Sequence, residues 1–131
     1  MDYIAIKRAR FFSLSGSVNI PYGTKIDCAN GVLSIDGKPL CGDHSQNGYD
    51  FFTRDDDGNG LERGKLVQAI RKTLKNRDEN HQARWNKVWA DPICQKYKRA
   101  DHTDYWLWNH DFFNAEIADL HHIAALVGAK I

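Results

Sequence analysis

The sequence predicts a single α+β domain over residues 1–131, in which a small antiparallel β-sheet or partial barrel precedes a helical bundle. Three observations support this class. Up to residue 60, short alternating runs lie between turn residues, which is typical of strands. From residue 61 onward, apolar residues recur at helical spacing. The length of 131 residues, with 42 % apolar and 27 % charged residues, suits one domain with a hydrophobic core. We therefore expect a β-rich half, residues 1–60, and a helical half, residues 61–131.

The β-rich half contains several short runs that turn signals separate. Tyr3–Ala9 and Ser17–Ile20 are the first candidate strands, and a turn at residues 21–23 follows them. Asn30-Gly31 and Asp36-Gly37 are predicted hairpin turns, because both central residues of a tight hairpin turn take positive φ, which Asn, Asp and Gly tolerate. The strands that these two turns join are Thr24–Ala29, Val32–Ile35 and Lys38–Cys41.

The three cysteines, Cys28, Cys41 and Cys94, are predicted to be reduced thiols, because an odd number without a secretion signal does not suggest a disulfide framework. Alternation along the hairpins places Cys28 and Cys41 on opposite faces of the sheet unless a bulge intervenes. Cys41 and His44 have the spacing of half a zinc site. The alternative is that the hairpin cysteines are small apolar residues, one of them in the core.

The first predicted helix runs from Leu61 to Asn76 and is amphipathic. Its apolar face consists of Leu66, Val67, Ile70 and Leu74. Its opposite face is basic and consists of Lys65, Arg71, Lys72 and Lys75. We expect this basic face, together with Trp106 further along the chain, to bind a partner. The alternative is that the basic face is only solvated.

Further helical segments follow. Residues 80–90 form the next one, and its apolar residues are Trp85, Val88 and Trp89. Asp91 precedes Pro92, and this pair predicts a helix start with the aspartate as cap. Asn114 is the predicted cap of the last helix, which Gly128 ends. The apolar stripe of that helix consists of Ile117, Leu120, Ile123, Ala124 and Val127.

The acidic segment between the two halves resembles the beginning of a calcium-binding loop. The first, third and fifth positions of such a loop provide oxygen ligands, and here these are Asp55, Asp57 and Asn59. Gly60 suits the sixth position, but Glu62 and Leu66 do not suit the eighth and the twelfth. Two interpretations follow. The loop, with Glu62 and His110, holds one divalent metal ion (zinc, calcium or magnesium), or it is a turn in which Asp57 or Asn59 caps the helix.

Aromatic residues are concentrated between Tyr105 and Phe113, in a segment too apolar for a free helix surface. This segment is either the hub of the helical core or a partner-binding surface. His110 lies within it and is either a hydrogen-bonded core histidine or a metal ligand beside the acidic loop. Looser ligand candidates are His102 with Asp104, and the adjacent His121 and His122.

Motifs of common enzyme classes are not found in the sequence. The chain contains no dinucleotide-binding glycine motif, no Walker loop and no nucleophile elbow. The best enzymatic alternative is a metal-dependent nuclease, in which the acidic loop holds the metal and His110 is the general base. No ligand spacing requires such a site, so we expect a binding protein rather than an enzyme.

Charge and hydropathy restrict the partners and the location. The chain has 18 Lys and Arg residues and 17 Asp and Glu residues, a formal net charge of +1. This balance argues against a basic protein that coats nucleic acid and against a polyacidic mimic of DNA, so direct nucleic-acid binding is not expected. No apolar run suits a membrane span, and residues 1–10 have no signal-peptide core. We expect a cytoplasmic protein without a membrane partner.

Two long stretches resemble a family of short proteins from phages and prophages of streptococci and related Gram-positive bacteria. They are Ser45–Leu66 (SQNGYDFFTRDDDGNGLERGKL) and Trp89–Ala115 (WADPICQKYKRADHTDYWLWNHDFFNA). Small phage proteins of this kind include anti-CRISPR inhibitors of type II Cas9 and accessory head or tail proteins. The resemblance therefore implies a non-enzymatic, phage-encoded inhibitor of a host defence protein, type II Cas9, in the host cytoplasm. A phage morphogenesis protein is the alternative, and no catalytic residue is implied.

Overall fold

The computed structural model describes residues 2–13, 16–42, 51–98 and 110–130. Within these residues, seven strands precede five helices. The strands are β1 (Asp2–Ala5), β2 (Ala9–Ser13), β3 (Gly16–Ile20), β4 (Lys25–Ala29), β5 (Val32–Ile35), β6 (Lys38–Gly42) and β7 (Phe52–Arg54). The helices are α1 (Gly60–Lys75), α2 (His81–Ala90), α3 (Pro92–Lys98), α4 (His110–Phe113) and α5 (Ile117–Val127). The α+β class, with an antiparallel sheet before the helices, is therefore confirmed.

The larger sheet has five strands in the order β6-β5-β4-β1-β7, and all of its pairings are antiparallel. β2 and β3 form a separate two-stranded sheet. The single strand predicted over Tyr3–Ala9 is therefore two strands. Its first part pairs in the large sheet up to Ala5, whereas Ala9 pairs with Ile20 in the small one. The chain changes sheets across residues 6–8, which alternation alone does not reveal.

Both predicted hairpin turns are confirmed. Asn30 and Gly31 have φ angles of 52° and 76°, and Asp36 and Gly37 have φ angles of 51° and 79°. Positive φ at both central positions matches the right-handed twist of the strands that each turn joins. The turn at residues 21–23 is also present, with the amide of Thr24 3.2 Å from the carbonyl oxygen of Pro21.

The predicted separation of Cys28 and Cys41 is wrong, because a bulge lies between Leu33 and Ser34 in the pairing of β5 with β6. The bulge shifts the register, so Cys41 lies opposite Leu33. Cys28 lies opposite the same leucine on the other side. Both thiols are therefore on one face of the sheet, where they are half-buried against its apolar cluster. The three cysteines, all of them described, form no disulfide.

Strand β1 is buried on both of its faces. Its alternate residues join two apolar clusters, Tyr3 and Ala5 in one and Ile4 in the other, which Ile6 just after the strand also joins. The small sheet covers the first face, where the rings of Phe11 and Phe52 stack with centroids 5.7 Å apart. The helices cover the second face. The five-stranded sheet is therefore the middle layer, and β1 connects the two clusters.

Two glycines of helix α1 face β1 and the residue that follows it. A Cβ atom at Gly60 would lie 2.4 Å from Cγ2 of Ile4, and a Cβ atom at Gly64 would lie 2.4 Å from Cγ2 of Ile6. Real Cβ atoms do not approach other atoms so closely. The two glycines therefore determine how near the helix can lie to the sheet.

The predicted apolar face of α1 is confirmed, since all four of its residues are fully buried: Leu66, Val67, Ile70 and Leu74. On the basic face, Lys65, Lys72 and Lys75 are exposed. Arg71 is half-buried, with its guanidinium 5.1 Å from the ring centroid of Phe113. Burial of one stripe and hydration of the other is the arrangement that the 3.6-residue period requires.

The helix boundaries after α1 confirm two predictions and correct one. Oδ1 of Asp91 accepts hydrogen bonds from the amides of Ile93 and Cys94 at 2.9 and 3.0 Å, so Asp91 caps α3. Gly128 has φ of 72° and ends α5. Asn114 does not cap α5, which begins at Ile117 after Glu116. The Asn114 side chain instead bonds to β7, as described below.

None of the helices formed by the described residues combines the length and the apolar character that a membrane span requires.

Candidate functional site

The acidic loop, residues 55–59, connects the end of β7 to the start of α1. Asp55 holds the helix start, because its Oδ1 accepts a hydrogen bond from the amide of Gly60 at 2.8 Å. Its Oδ2 lies 3.2 Å from Nζ of Lys25 on β4. Gly58, with φ of 76°, forms the turn between Asp55 and Gly60. Asn59 occupies the cap position, but its side chain makes no cap hydrogen bond. The side chain that binds the first amide of α1 is therefore that of Asp55, and not that of Asp57 or Asn59 as predicted.

Asp57 forms an ion pair with a buried arginine. Its Oδ2 accepts a hydrogen bond from Nη2 of Arg63, and its Oδ1 accepts one from the amide of Asn59 at 3.0 Å. Partial burial raises the pKa of Asp57, but the hydrogen bonds from Arg63 and Asn59 outweigh this effect and hold the pKa below its ordinary value. Asp57 is therefore ionised at neutral pH and balances the charge of Arg63.

Arg63 is the main residue of this region that sequence reasoning missed. It is 0 % exposed. Its Nε donates to the carbonyl oxygen of Ala115 at 2.7 Å, and its Nη1 donates to the carbonyl oxygen of Arg54 at 2.7 Å. The sequence does contain a signal, because Arg63 precedes Val67 and Ile70 at helical spacing and so lies on the apolar stripe.

Arg54 makes a second connection between the loop and the helical half. Its Nε donates to the carbonyl oxygen of Asn114 at 2.7 Å, and its Nη1 lies 2.9 Å from Oδ1 of Asp56. Its Nη2 lies 3.3 Å from Oε1 of Glu116. Partial burial lowers the pKa of Arg54, but the hydrogen bond and charge of Asp56 outweigh burial and raise it. We call Arg54 and Arg63, with the carbonyls they bind, the arginine clamp.

Asn114 and Thr53 complete the join between β7 and the segment before α5. Oδ1 of Asn114 accepts a hydrogen bond from the amide of Arg54 at 2.7 Å, and its Nδ2 donates to the carbonyl oxygen of His110 at 2.9 Å. The hydroxyl of Thr53 donates to the carbonyl oxygen of Phe113 at 2.5 Å. Asn114, which resembles a helix cap in the sequence, therefore provides a hydrogen-bond acceptor for a backbone amide of the edge strand β7.

The predicted metal ligands are distributed over three places. Asp55, Asp57 and Asn59 share the loop. The Oε1 atom of Glu62 is directed to α5, 2.7 Å from Nε2 of His121. Nε2 of His110 is 3.4 Å from the hydroxyl of Tyr3. The part of the chain that the structure describes contains no group of three or more His, Cys, Asp or Glu side chains placed to hold a metal ion. A divalent ion at the loop stays a prediction, which a fall in melting temperature after chelation would support.

The adjacent histidines of α5 link helices. His121 reaches Glu62 at the start of α1, as described above, and Nε2 of His122 lies 2.7 Å from Oδ2 of Asp91, the cap of α3. Partial burial raises the pKa of Asp91, but the hydrogen bonds from His122 and the Cys94 amide outweigh it and hold the pKa below its ordinary value. These two candidate ligands therefore have structural partners.

A buried polar pair that the sequence did not predict joins α3 to α5. The hydroxyl of Tyr97 donates to Oδ2 of Asp119 at 2.6 Å, and Nζ of Lys96 lies 3.0 Å from the same oxygen. Burial raises the pKa of Tyr97, so its hydroxyl stays protonated and remains a donor. Burial also raises the pKa of Asp119, but the hydrogen bonds from Tyr97 and Lys96 outweigh it and lower that pKa.

Several predicted site residues lie outside the described residues: His44, His102, Asp104, Tyr105 and Trp106. At the end of the aromatic segment, Phe112 and Phe113 are fully buried in the helical cluster. The described part of this segment therefore belongs to the core.

The basic face of α1 borders three concave surface regions. The first, of about 380 Å³, contains Trp85 and Trp89 and has Lys75 and Arg77 at its rim; we call it the tryptophan depression. The second, of about 290 Å³, is lined by Lys7, Gln68, Arg71, Lys72 and Lys75. The third, of about 800 Å³, is lined by residues of α1 and by Arg84 and Lys130. Lys75 borders all three, so the regions adjoin one another.

Comparison with models of protein families, with curated proteins and with solved structures found no match to this chain.

Proposed function

We propose that this chain is a non-enzymatic, phage-encoded inhibitor that binds guide-loaded type II Cas9 through the basic face of α1 and blocks its activity. The observation that supports binding is the exposure of Lys65, Lys72 and Lys75 on one side of a helix whose other side is packed in the core, next to concave regions. The resemblance to short proteins of streptococcal phages and prophages supports the choice of partner.

The contacts of the acidic loop favour binding over catalysis. Asp55 and Asp57 use their oxygens to hold the start of α1 and to balance Lys25 and Arg63. A general base or a metal ligand needs an oxygen directed at a substrate or an ion. The lysines of the basic face, by contrast, are exposed on the surface. Charged side chains on such a face steer a partner of opposite charge and select its orientation.

The experiment that tests this function uses a guide-loaded streptococcal Cas9 and its target DNA, with the protein added in excess. We expect loss of target-DNA binding and therefore loss of cleavage. Lys72→Glu combined with Lys75→Glu is expected to abolish the inhibition, because it reverses the charge of the face. The matched control is Lys38→Glu with Lys87→Glu, which reverses two exposed lysines on other surfaces and should inhibit normally.

Three results would contradict the proposal. Normal DNA binding and cleavage in the presence of the protein would exclude inhibition of this Cas9. Equal loss of inhibition in both charge-reversed variants would exclude the basic face as the docking surface. Nicking of DNA by the protein and a divalent cation without Cas9, lost in His110→Ala, would show that the chain is a nuclease.

A further inference from the structure

The charges of this molecule are unevenly distributed over its surface. Among the described residues, the three concave regions bordering α1 are lined by seven lysine and arginine side chains, by His81, which is counted as neutral, and by one acidic side chain, Asp78. Asp78 is paired with Arg84 of the same region, at 2.7 Å. The formal charge of this surface is therefore +6, in a chain whose formal net charge is +1. The rest of the chain carries a formal charge of −5 on the same count.

These basic side chains come from separate parts of the fold. Lys7 lies between β1 and β2, Lys72 is on α1, Arg77 follows α1, and Lys130 follows α5. Cations in the last turn of a helix are common because they interact favourably with the helix dipole. This effect explains Lys72 and Lys75, which lie in the last turn of α1. The dipole of α1 does not account for Lys7 or Lys130. Their convergence on adjoining concave regions indicates a surface that attracts anions.

The tryptophan depression adds an aromatic surface to this basic one. The rings of Trp85 and Trp89 have centroids 5.6 Å apart. Trp85 is 8 % exposed, and its Nε1 donates to the carbonyl oxygen of Leu74, so it forms the floor. Trp89 is half-buried and borders the depression with Lys75 and Arg77 at the rim. Proteins that bind single-stranded nucleic acid combine these two elements, a basic groove that follows the phosphates and aromatic rings on which bases stack.

We infer that this cationic surface binds single-stranded nucleic acid. Phosphates would lie in the second and third concave regions, which lysines line, and an unpaired base would stack on Trp89. Lysine side chains bind phosphate as mobile point charges. A single strand is favoured over a duplex because the bases of a duplex are paired and none is exposed to stack on the indole of Trp89. The net charge of the chain argued against such a ligand because it averages over the two oppositely charged parts of the surface. This inference rests on the proposed function only in that both use the basic face of α1. Binding of an oligonucleotide does not require Cas9.

The test uses the full chain with fluorescein-labelled oligo-dT and oligo-rU, whose binding is followed by anisotropy. A length of about 20 nucleotides exceeds the site of a typical single-strand-binding domain. We expect binding at low salt. If about four phosphates are neutralised, raising the salt from about 50 to about 200 mM should weaken binding roughly 50-fold. A duplex of the same length should bind more weakly than the single strands.

Variants separate the two elements. Lys72→Glu with Lys130→Glu is expected to weaken binding at least tenfold, and the control Lys38→Glu with Lys87→Glu is expected to change it little. Trp89→Leu keeps an apolar side chain against the core and should weaken binding roughly tenfold, whereas Trp89→Phe keeps a ring and should retain most of it. Circular dichroism melts of each variant show whether it is folded.

Defined results would overturn this inference. They are no binding of either oligonucleotide at low salt, equal weakening by both charge-reversed pairs, or equal affinity of Trp89→Leu and Trp89→Phe. Polyglutamate that binds as tightly as oligo-dT would assign the surface to an acidic protein segment instead. Oligonucleotide binding without Cas9 inhibition would contradict the proposed function alone, and inhibition without oligonucleotide binding would contradict this inference alone.

Discussion

Arg63 joins the two halves of the chain through a single side chain. Its guanidinium donates to the carbonyl oxygens of Arg54 and Ala115, on opposite sides of helix α1 in the sequence, and it pairs with Asp57. A fully buried cation is tolerated only when its donors have acceptors and its charge has a partner. The arginine clamp meets both conditions, so Arg63 fixes the acidic loop and the segment before α5 relative to each other.

We predict that Arg63→Met lowers the free energy of unfolding by about 3 kcal/mol, because it removes the hydrogen bonds that Arg63 donates to Oδ2 of Asp57 and to two carbonyl oxygens. Methionine keeps much of the buried apolar volume. Urea denaturation at pH 7 measures the effect. Lys65→Met, at an exposed position two residues later, is the control and should change stability by less than about 0.5 kcal/mol. Equal effects of the two substitutions would show that the clamp contributes nothing to stability.

Asp119 makes stability depend on pH in the acid range. Its pKa in the folded protein is held below the ordinary 3.8 by Tyr97 and Lys96. A carboxyl with a lowered folded pKa stabilises the protein fully above its unfolded pKa, and this contribution is lost as the pH falls through the folded pKa. The window therefore begins slightly above pH 3.8 and extends below it.

We predict that Asp119→Asn destabilises the protein by about 1–3 kcal/mol at pH 7, because the amide accepts weaker hydrogen bonds than the carboxylate. The difference from the wild type should shrink at about pH 3, because below the ordinary pKa of 3.8 the wild-type carboxylate has lost part of its own contribution. Urea denaturation at the two pH values provides the measurement, with the exposed Asp27→Asn as control. A difference that is the same at both pH values would refute the role of this ionised pair.

At the scale of elements, the contact between α1 and β1 depends on the absence of two side chains. Gly60 and Gly64 are one helical turn apart, and they face Ile4 of β1 and Ile6 just after it, which belong to the same apolar cluster. Glycine inside a helix is normally unfavourable relative to alanine, by roughly 0.5–1 kcal/mol. Its presence at both positions is explained by the close approach of the helix to the sheet.

We predict that Gly64→Ala destabilises the protein by about 1–3 kcal/mol, although helix propensity alone would make it stabilising. The added Cβ would lie 2.4 Å from Cγ2 and 2.6 Å from Cβ of Ile6. A rotamer change does not move the Cβ atom of Ile6, so the helix or the strand segment must move. Chemical denaturation gives the sign. In an Ile6→Ala background the same substitution should cost less, because the closest clashing atom, Cγ2 of Ile6, is gone and only the Cβ contact at 2.6 Å remains. A stabilising Gly64→Ala would mean that α1 can shift freely.

At the scale of the whole molecule, the five-stranded sheet has an apolar cluster on each face, and α1 carries charge on the side away from it. The formal net charge of +1 therefore describes neither part of the surface. A ligand responds to the local potential within about 10 Å, the Debye length at moderate salt, and not to the sum over the chain. A charged partner is consequently selected by the basic surface bordering α1.

Features that depend on neighbouring residues were predictable. The Asn30-Gly31 turn, the buried stripe of α1, the Asp91 cap and the end of α5 at Gly128 are all confirmed. Each is determined by backbone preferences or side-chain spacing within one or two turns of chain, which the sequence displays directly. The α+β order was predictable for the same reason, since the hydrophobic period changes from two to 3.6 near residue 60.

Features that depend on distant residues were not predictable. Arg63 meets a carbonyl oxygen 52 residues away, Asn114 meets a strand 60 residues away, and a bulge in β5 brings Cys28 and Cys41 to one face. No local pattern specifies which polar groups meet after the chain has packed, or where the register slips. The unequal distribution of charge arises in the same way, because Lys7 and Lys130 become neighbours of the α1 surface only in the folded chain.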